Sequence, residues 1–299
     1  MKVLVTGGAG FIGTATVSEL RDRGHEPVIF GRTHRPDIES ILGDIRDATA
    51  VTEAVAHVDA VIHLAGVLGT AETIWNPRPA AETNIGGGIN VLEACSQYGT
   101  PLVNIAVGNH FEESPYSITK TTVERFARMY ASYRDLPVCS VRAYNAYGPG
   151  QSVAQPYGNS RVRKIIPSFT VRALHGEPIQ VYGDGSQVMD MIYVTDVARC
   201  LVSALQMEPL LRGETFSAGT ARRTTVSQIA EAVRDEVQMQ TGKGVPVEYL
   251  PMRPGETPGS EVLANALDVK RLGLDPAGFT HLHDGLVATV AFYRKMFIK

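Results

Sequence analysis

Cysteine, tryptophan and net charge are all scarce in this chain. Cys95, Cys139 and Cys200 are its three cysteines, widely separated within 299 residues. An odd and scattered set makes neither a disulfide framework nor a metal knuckle. The three are expected to be reduced, small apolar residues of a cytosolic protein, and no metal site is expected. The formal net charge is −3, with both signs mixed along the sequence. That excludes the basic footprint of a nucleic-acid binder; the densest basic run is the "RVRK" at 161–164. No apolar run reaches the ~18 residues that span a bilayer, so no membrane partner is expected. The opening "MKVLVTGGAG" passes from a short apolar strand straight into glycines, unlike a secretory leader, whose apolar stretch is longer. Internal repeats and low-complexity segments are also missing.

What is present is ordinary globular material, 44% apolar and 20% charged, enough for a sizeable core. The first half alternates strand and helix. Apolar runs at Val3–Val5, Val28–Phe30, Ala60–Leu64, Leu102–Val107 and Val138–Val141 predict strands. Helical spacing covers Phe11–Arg23, Asp47–His57, Pro79–Tyr98 and Pro115–Arg134, with Gly24 suited to stop the first. This alternation predicts an α/β fold, a Rossmann-type doubly wound parallel sheet covered on both faces. The turn-rich "YGPGQSVAQPYGNSR", 147–161, breaks the rhythm. Beyond it the expected order is helix 166–175, strands 178–182 and 188–194, helix 195–207, strand 214–217, helix 225–239 and a last helix near 282–297. We assign 1–150 to a dinucleotide-binding domain, to which the chain returns near 186–207. Residues 151–299 form mainly a smaller mixed α/β substrate lobe.

"TGGAGFIG", Thr6 to Gly13, lies between the first strand and the first helix. Gly7, Gly10 and Gly13 allow a tight turn and a close backbone approach to a pyrophosphate. The helix start at Phe11 and Ile12 supplies unpaired N–H groups and partial positive charge. These five residues are assigned to a dinucleotide, NAD or NADP. An NAD site usually carries an acid at the end of the second strand, for the ribose 2′-hydroxyl. That strand ends Phe30-Gly31-Arg32 and has no such acid. Arg32 suits a 2′-phosphate or a stack on adenine, which leans slightly to NADP and leaves NAD open; an exposed loop arginine is the plainer alternative. Asp44 and Ile45 suit the adenine edge.

Tyr116 and Lys120 stand four residues apart on a helix and share a face. A free tyrosine titrates near ~10 and is a poor base at neutral pH. A neighbouring ammonium and an oxidised nicotinamide favour phenolate, and reaching a pKa of about 7 needs roughly 4 kcal/mol. Tyrosine then removes a hydroxyl proton while hydride leaves the same carbon. Lysine also holds the nicotinamide ribose. A Y-x-x-x-K alone is common by chance; about 110 residues after such a glycine loop, it is specific.

Taken together, "TGGAGFIG", "GDIRD" (43–47), "VIHLAG" (61–66), "TNIGGGINVLEAC" (83–95), "SPYSITK" (114–120), "VRAYNAYGPG" (141–150), "VYGDGSQVMDMIYVTDVA" (181–198) and "RPGE" (253–256) carry a resemblance. Over essentially its whole length the chain resembles the extended short-chain dehydrogenase/reductase family of nucleotide-sugar epimerases and dehydratases, and is UDP-galactose 4-epimerase-like. The resemblance implies that Leu64, Ala65 and Gly66 line the cofactor, that Tyr116 is the base and that Lys120 is its partner. It implies that Asn145 touches the sugar diphosphate and that Ile165, after Lys164, meets the nucleotide base. Tyr182 would stack on uracil and Arg253 clamp the diphosphate. A homodimer through helices 79–98 and 115–134 is implied in the same way.

Four departures qualify it. Val107 occupies the usual Ser/Thr position at the strand end. Only nine residues then lead to Tyr116, so a segment that covers the site is reduced. The Asp-Glu pair of 4,6-dehydratases is replaced by Gly108 and Asn109. Met189 replaces a second diphosphate arginine, for which Arg163 or Lys164 compensates. Asn109 and His110, just past the strand end, are the candidates to hydrogen-bond the sugar in place of the hydroxyl; a turn residue and a surface histidine are the plainer readings. Thr119 matches a position where the family has serine and is not counted as a substitute. The expected activity is NAD(P)-dependent C4 epimerisation of a UDP-sugar through a transient 4-keto sugar. A 4-keto-sugar reductase, an atypical dehydratase and a non-catalytic dinucleotide sensor are the alternatives.

Overall fold

The computed structural model describes residues 1–207 and 212–298. The first half runs β1 (Lys2–Thr6), α1 (Phe11–Asp22), β2 (Glu26–Gly31), β3 (Ser40–Leu42), α2 (Ala48–Val55), β4 (Ala60–His63), α3 (Thr70–Ile74) and α4 (Arg78–Ala80). A π-helical turn, Ala81–Gly86, leads into α5 (Gly87–Tyr98), then β5 (Leu102–Val107), α6 (Pro115–Arg134), β6 (Val138–Ala143) and β7 (Ala146–Tyr147). The second half holds α7 (Ile165–Leu174), β8 (Ile179–Tyr182), β9 (Val188–Met189), β10 (Ile192–Tyr193), α8 (Val194–Gln206), β11 (Arg212–Ala218), β12 (Thr224–Thr225), α9 (Val226–Thr241), β13 (Val247–Leu250), β14 (Glu261–Val262), α10 (Ala266–Arg271) and α11 (Leu282–Phe297).

Seven strands form one sheet in the order β11-β6-β5-β4-β1-β2-β3, and each neighbouring pair is parallel. Strands β4 and β5 are buried along their whole length, because helices cover both faces and no side needs to be polar. On one face Val17 and Leu20 of α1 and Cys200 and Leu201 of α8 pack on Val3, Val5 and Ile62. On the other, Val51, Val91, Leu92 and Val123 meet Leu4, Val61 and Leu102. A third core, around Phe169, Val181, Ile229, Val233 and Val290, belongs to the second half of the chain. The three cysteines are buried and unpaired. No helix of the described residues is long and apolar enough to cross a membrane.

The architecture agrees with the sequence pattern and refines it in three places. The return to the first sheet is longer than 186–207, because β11 pairs with β6 as the outermost strand. The expected strand 188–194 is two strands, since β9 pairs with β12 and β14 while β10 pairs with β7. The chain changes sheets at Asp190, whose carboxylate is fully buried. It accepts from Thr220 N–H (2.8 Å), Thr220 O–H (2.6 Å), Ala221 N–H (2.7 Å) and Ala264 N–H (3.2 Å). Finally, helix 79–98 contains the π turn. The elements with no sequence signal, such as β7, β12 and β14, are two residues long and carry no period to detect.

Asp190→Ala leaves four buried donors unmatched. It is expected to lower the unfolding free energy by about 3 kcal/mol, read as a lower urea midpoint at pH 7; an unchanged midpoint contradicts this role for the carboxylate.

Candidate active site

The sequence places Tyr116 by local means. Ser114 caps α6, its Oγ accepting from Ser117 N–H at 3.2 Å, and Pro115 occupies the first turn. Both features fix the start of the helix, so Tyr116 lies in its first turn and Lys120 one turn further along the same face. Their side chains line one cleft of about 720 Å³ above the C-terminal ends of the strands. Every residue expected to hold the cofactor lines it too: Gly7, Gly10, Phe11, Ile12, Gly13, Arg32, Asp44, Ile45, Leu64, Ala65 and Gly66. So do Asn109, Asn145, Lys164, Ile165 and Arg253 of the expected substrate residues.

The glycine loop fits a pyrophosphate. Gly7 has φ +71°, and a Cβ there would meet Ala65 N at 2.9 Å. A Cβ at Gly13 would lie 2.3 Å from Gly7 O. Side chains are therefore excluded from the turn, and the first N–H groups of α1 stay available for a ligand. At the far end of the cleft, two hydrogen bonds from the Arg46 guanidinium hold the Asp44 carboxyl down at about 2. Arg32 is exposed beside it.

The wall between these ends is built on buried polar contacts. Thr6 Oγ1 accepts from Leu64 and Ala65 N–H, both at 3.2 Å. Its own proton is therefore donated to His63 Nδ1 at 2.7 Å, which leaves the ring proton on Nε2. Burial, and then Lys120, push His63 down to about 3, so it stays neutral. Asn84, on the π turn, binds Val67 N–H and C=O (2.7 and 3.1 Å) and Thr119 Oγ1 (2.9 Å). It fixes the loop after β4 against the helix that carries Tyr116. Burial alone raises Tyr116 to about 12 and lowers Lys120 to about 8.

Past Val107 the loop departs from the expected geometry at one residue. Asn109 lines the cleft and donates from Nδ2 to Glu112 Oε2 at 2.6 Å. His110 does not line it. Its Nδ1 is 3.0 Å from Gly108 O, and its Nε2 is 3.3 Å from Arg142 Nη1. Arg142 in turn grips buried Glu124 of α6 at 2.9 and 2.8 Å. His110 thus props the loop on the protein body instead of meeting a sugar. Tyr182 stands in a smaller adjoining cavity of about 130 Å³, shared with Lys164, Ile165, Arg253 and Glu112. Arg253 lies over its ring, 5.0 Å from the centroid, and Arg163 Nη1 donates to its hydroxyl at 2.5 Å. Asn145 donates to Asp190 O at 3.2 Å. Residues missed from the sequence are Glu112, Glu256, Arg46 and Asn84. Of these, Arg46, Asn84 and Glu256 lie within the stretches "GDIRD", "TNIGGGINVLEAC" and "RPGE", whereas Glu112 lies in none of them. No cluster of metal-ligating side chains occurs among the described residues.

Residues 3–219 match the model of the NAD dependent epimerase/dehydratase family. The chain belongs to that family. Among family relatives, the low-salt glycan biosynthesis protein Agl12 of Haloferax volcanii is 30% identical, with 98% of each chain covered. The UDP-glucose 4-epimerase of Thermotoga maritima, solved with UDP-glucose, superposes with a TM-score of 0.85 at 28% identity, covering 99% of both chains. MoeE5, solved with UDP-glucuronic acid and NAD, gives a TM-score of 0.85 at 28% identity, covering 99% of this chain and 100% of its own.

The environment of Lys120 in this epimerase/dehydratase fold has a consequence for stability. In the unfolded chain a lysine titrates near ~10.4; in the fold Lys120 titrates at about 8. Below pH 8 the buried ammonium therefore disfavours folding, by on the order of 3 kcal/mol, and the penalty fades as the folded chain loses the proton first. Lys120→Met is expected to stabilise the cofactor-free chain at pH 7, with the gain shrinking towards pH 10. Urea unfolding at the two pH values checks this; an equal gain at both, or a loss at pH 7, contradicts it.

Proposed function

We propose that the chain is an NAD(P)-dependent nucleotide-sugar epimerase that inverts C4 of a UDP-sugar through a transient 4-keto sugar. The observation that carries this reading is the shared cleft. Tyr116 and Lys120 face the glycine loop at one end, and Arg253, Lys164 and Tyr182 gather at the other. Positive charge in the cleft of the base and an aromatic ring in the adjoining cavity suit a diphosphate and its nucleobase. No acid stands at the end of β5, where Gly108 and Asn109 follow Val107, and this favours epimerisation over dehydration.

A dinucleotide held by the glycine loop would supply a reversible hydride acceptor at its oxidised nicotinamide. Tyr116 Oη takes the C4 hydroxyl proton and gives it back to O4 once the keto sugar has presented its other face. Lys120 Nζ holds the nicotinamide ribose and favours the phenolate by its charge. Gly7, Gly10, Gly13 and the start of α1 bind the pyrophosphate, while Leu64–Gly66 shape the wall. Asn109 supplies an amide near the position where Val107 offers no hydrogen bond.

Incubation with UDP-glucose, UDP-N-acetylglucosamine and UDP-glucuronate is expected to give the C4 epimer of at least one, seen by proton NMR. Tyr116→Phe should cut that turnover by about 10²–10⁴ with the fold intact. No product from any of them, or an undiminished Tyr116→Phe variant, rules the mechanism out.

Arg32 is the cation placed to accept a 2′-phosphate, and we assign NADP acceptance to it. Arg32→Glu is expected to weaken NADP binding by about ten-fold or more and to leave NAD within about three-fold, measured by calorimetry. Equal losses for both would remove Arg32 from the 2′ position.

A further inference from the structure

Glu112 has no part in the chemistry above, yet it lies inside the site. It lines the cleft of Tyr116 and Lys120 and also the adjoining cavity of Tyr182 and Arg253. It therefore lies where the cleft meets the cavity, with Lys164, Arg253 and Glu256. A sugar whose C1 diphosphate is held there and whose C4 is presented to Tyr116 starts at that junction.

The carboxylate is held in place by its own turn. Asn109 Nδ2 donates to Oε2 at 2.6 Å, and Glu112 N–H donates to Asn109 O at 3.1 Å. The other oxygen, Oε1, has no hydrogen-bond partner among the described residues. Arg253, which lines both cavities with Glu112, is engaged by Glu256, so a second carboxylate lies in this part of the wall. Burial pushes the Glu112 carboxyl up, and Glu256 adds to the effect.

We propose that Glu112 determines sugar specificity: it selects UDP-hexoses with uncharged rings and rejects those that carry a ring carboxylate. This rests on the UDP-sugar reading above. Oε1 is an acceptor for a ring hydroxyl, which every neutral hexose can donate. A uronic acid sets a second anion against it in a partly desolvated site where Glu256 already adds negative charge. Both sugars occur within this fold: the Thermotoga maritima structure holds UDP-glucose, and MoeE5 is solved with each of the two.

Calorimetry on the dinucleotide-loaded protein tests this with UDP, UDP-glucose and UDP-glucuronate as titrants. The wild-type chain is expected to bind UDP-glucose at least about ten-fold more tightly than UDP-glucuronate. Glu112→Gln, which keeps the shape but removes the charge and turns the free acceptor into an amide donor, should shrink that ratio to about three-fold or less. The change should come through tighter UDP-glucuronate, with UDP unchanged. Glu112→Ala should lose the ratio as well, and near-UV circular dichroism reports whether each variant is folded. Equal binding of both sugars by the wild type overturns the proposal, as does a ratio that survives both variants. If UDP-glucose is dehydrated to a 4-keto-6-deoxy product and Glu112→Gln abolishes this, the carboxyl is an acid catalyst and the proposal also falls. Absence of any UDP binding instead removes the parent reading, a result distinct from UDP binding without discrimination.

Discussion

A buried ammonium with no carboxylate partner among the described residues is the constraint around which this site is arranged. Lys120 is 5% exposed, and its pKa falls to about 8 through desolvation alone. The same dryness lifts Tyr116 to about 12. The lysine is therefore reluctant to be charged and the tyrosine reluctant to ionise. Bringing that phenol to a pKa of about 7 takes on the order of 7 kcal/mol of differential interaction, against roughly 4 for a solvated tyrosine. Such a cost fits a site that is completed by its ligands, because a structural role would have paired the lysine.

The surrounding structure holds these two groups without supplying a counter-charge. Ser114 and Pro115 set where α6 begins. Asn84 links that helix to the loop after β4, and Glu124 with Arg142 anchors it to β6. His63 is kept neutral so that it can accept from Thr6 without adding charge near Lys120. On the lobe side, Asp190 gathers residues 220, 221 and 264 around the point where the chain changes sheets, and Asn145 is tied to the same residue. The Tyr116–Lys120 end and the Asn145 end are thus fixed by separate contacts, and the short loop after Val107 lines the cleft with both. A valine there removes one hydroxyl from the site, and the turn of Asn109 and Glu112 fills the space with an amide and a carboxylate.

The sheet, the glycine loop and the Tyr/Lys pair were legible because each rests on a local signal. Gly7 to Gly13 sits between a strand and a helix, and Tyr116 and Lys120 share a helix face by spacing alone. The loop "NHFEES" was not legible, since it has no period. Which of its side chains enters the cleft depends on Arg142, 32 residues away in sequence from His110. Asp190 was hidden for a similar reason: between apolar neighbours it fits a strand's alternation, while its four donors come from distant segments. Tyr182 was placed near the far end of the site from its motif, but its contacts with Arg163 and Arg253 are tertiary.

The central claim is that the C4 hydrogen leaves and returns within one enclosed site while Tyr116 handles the proton. UDP-galactose carrying deuterium at C4, incubated with the holoenzyme in ordinary water and followed by NMR, tests it most directly. The account predicts UDP-glucose that keeps its deuterium at C4. Loss of the label to solvent during interconversion would contradict it.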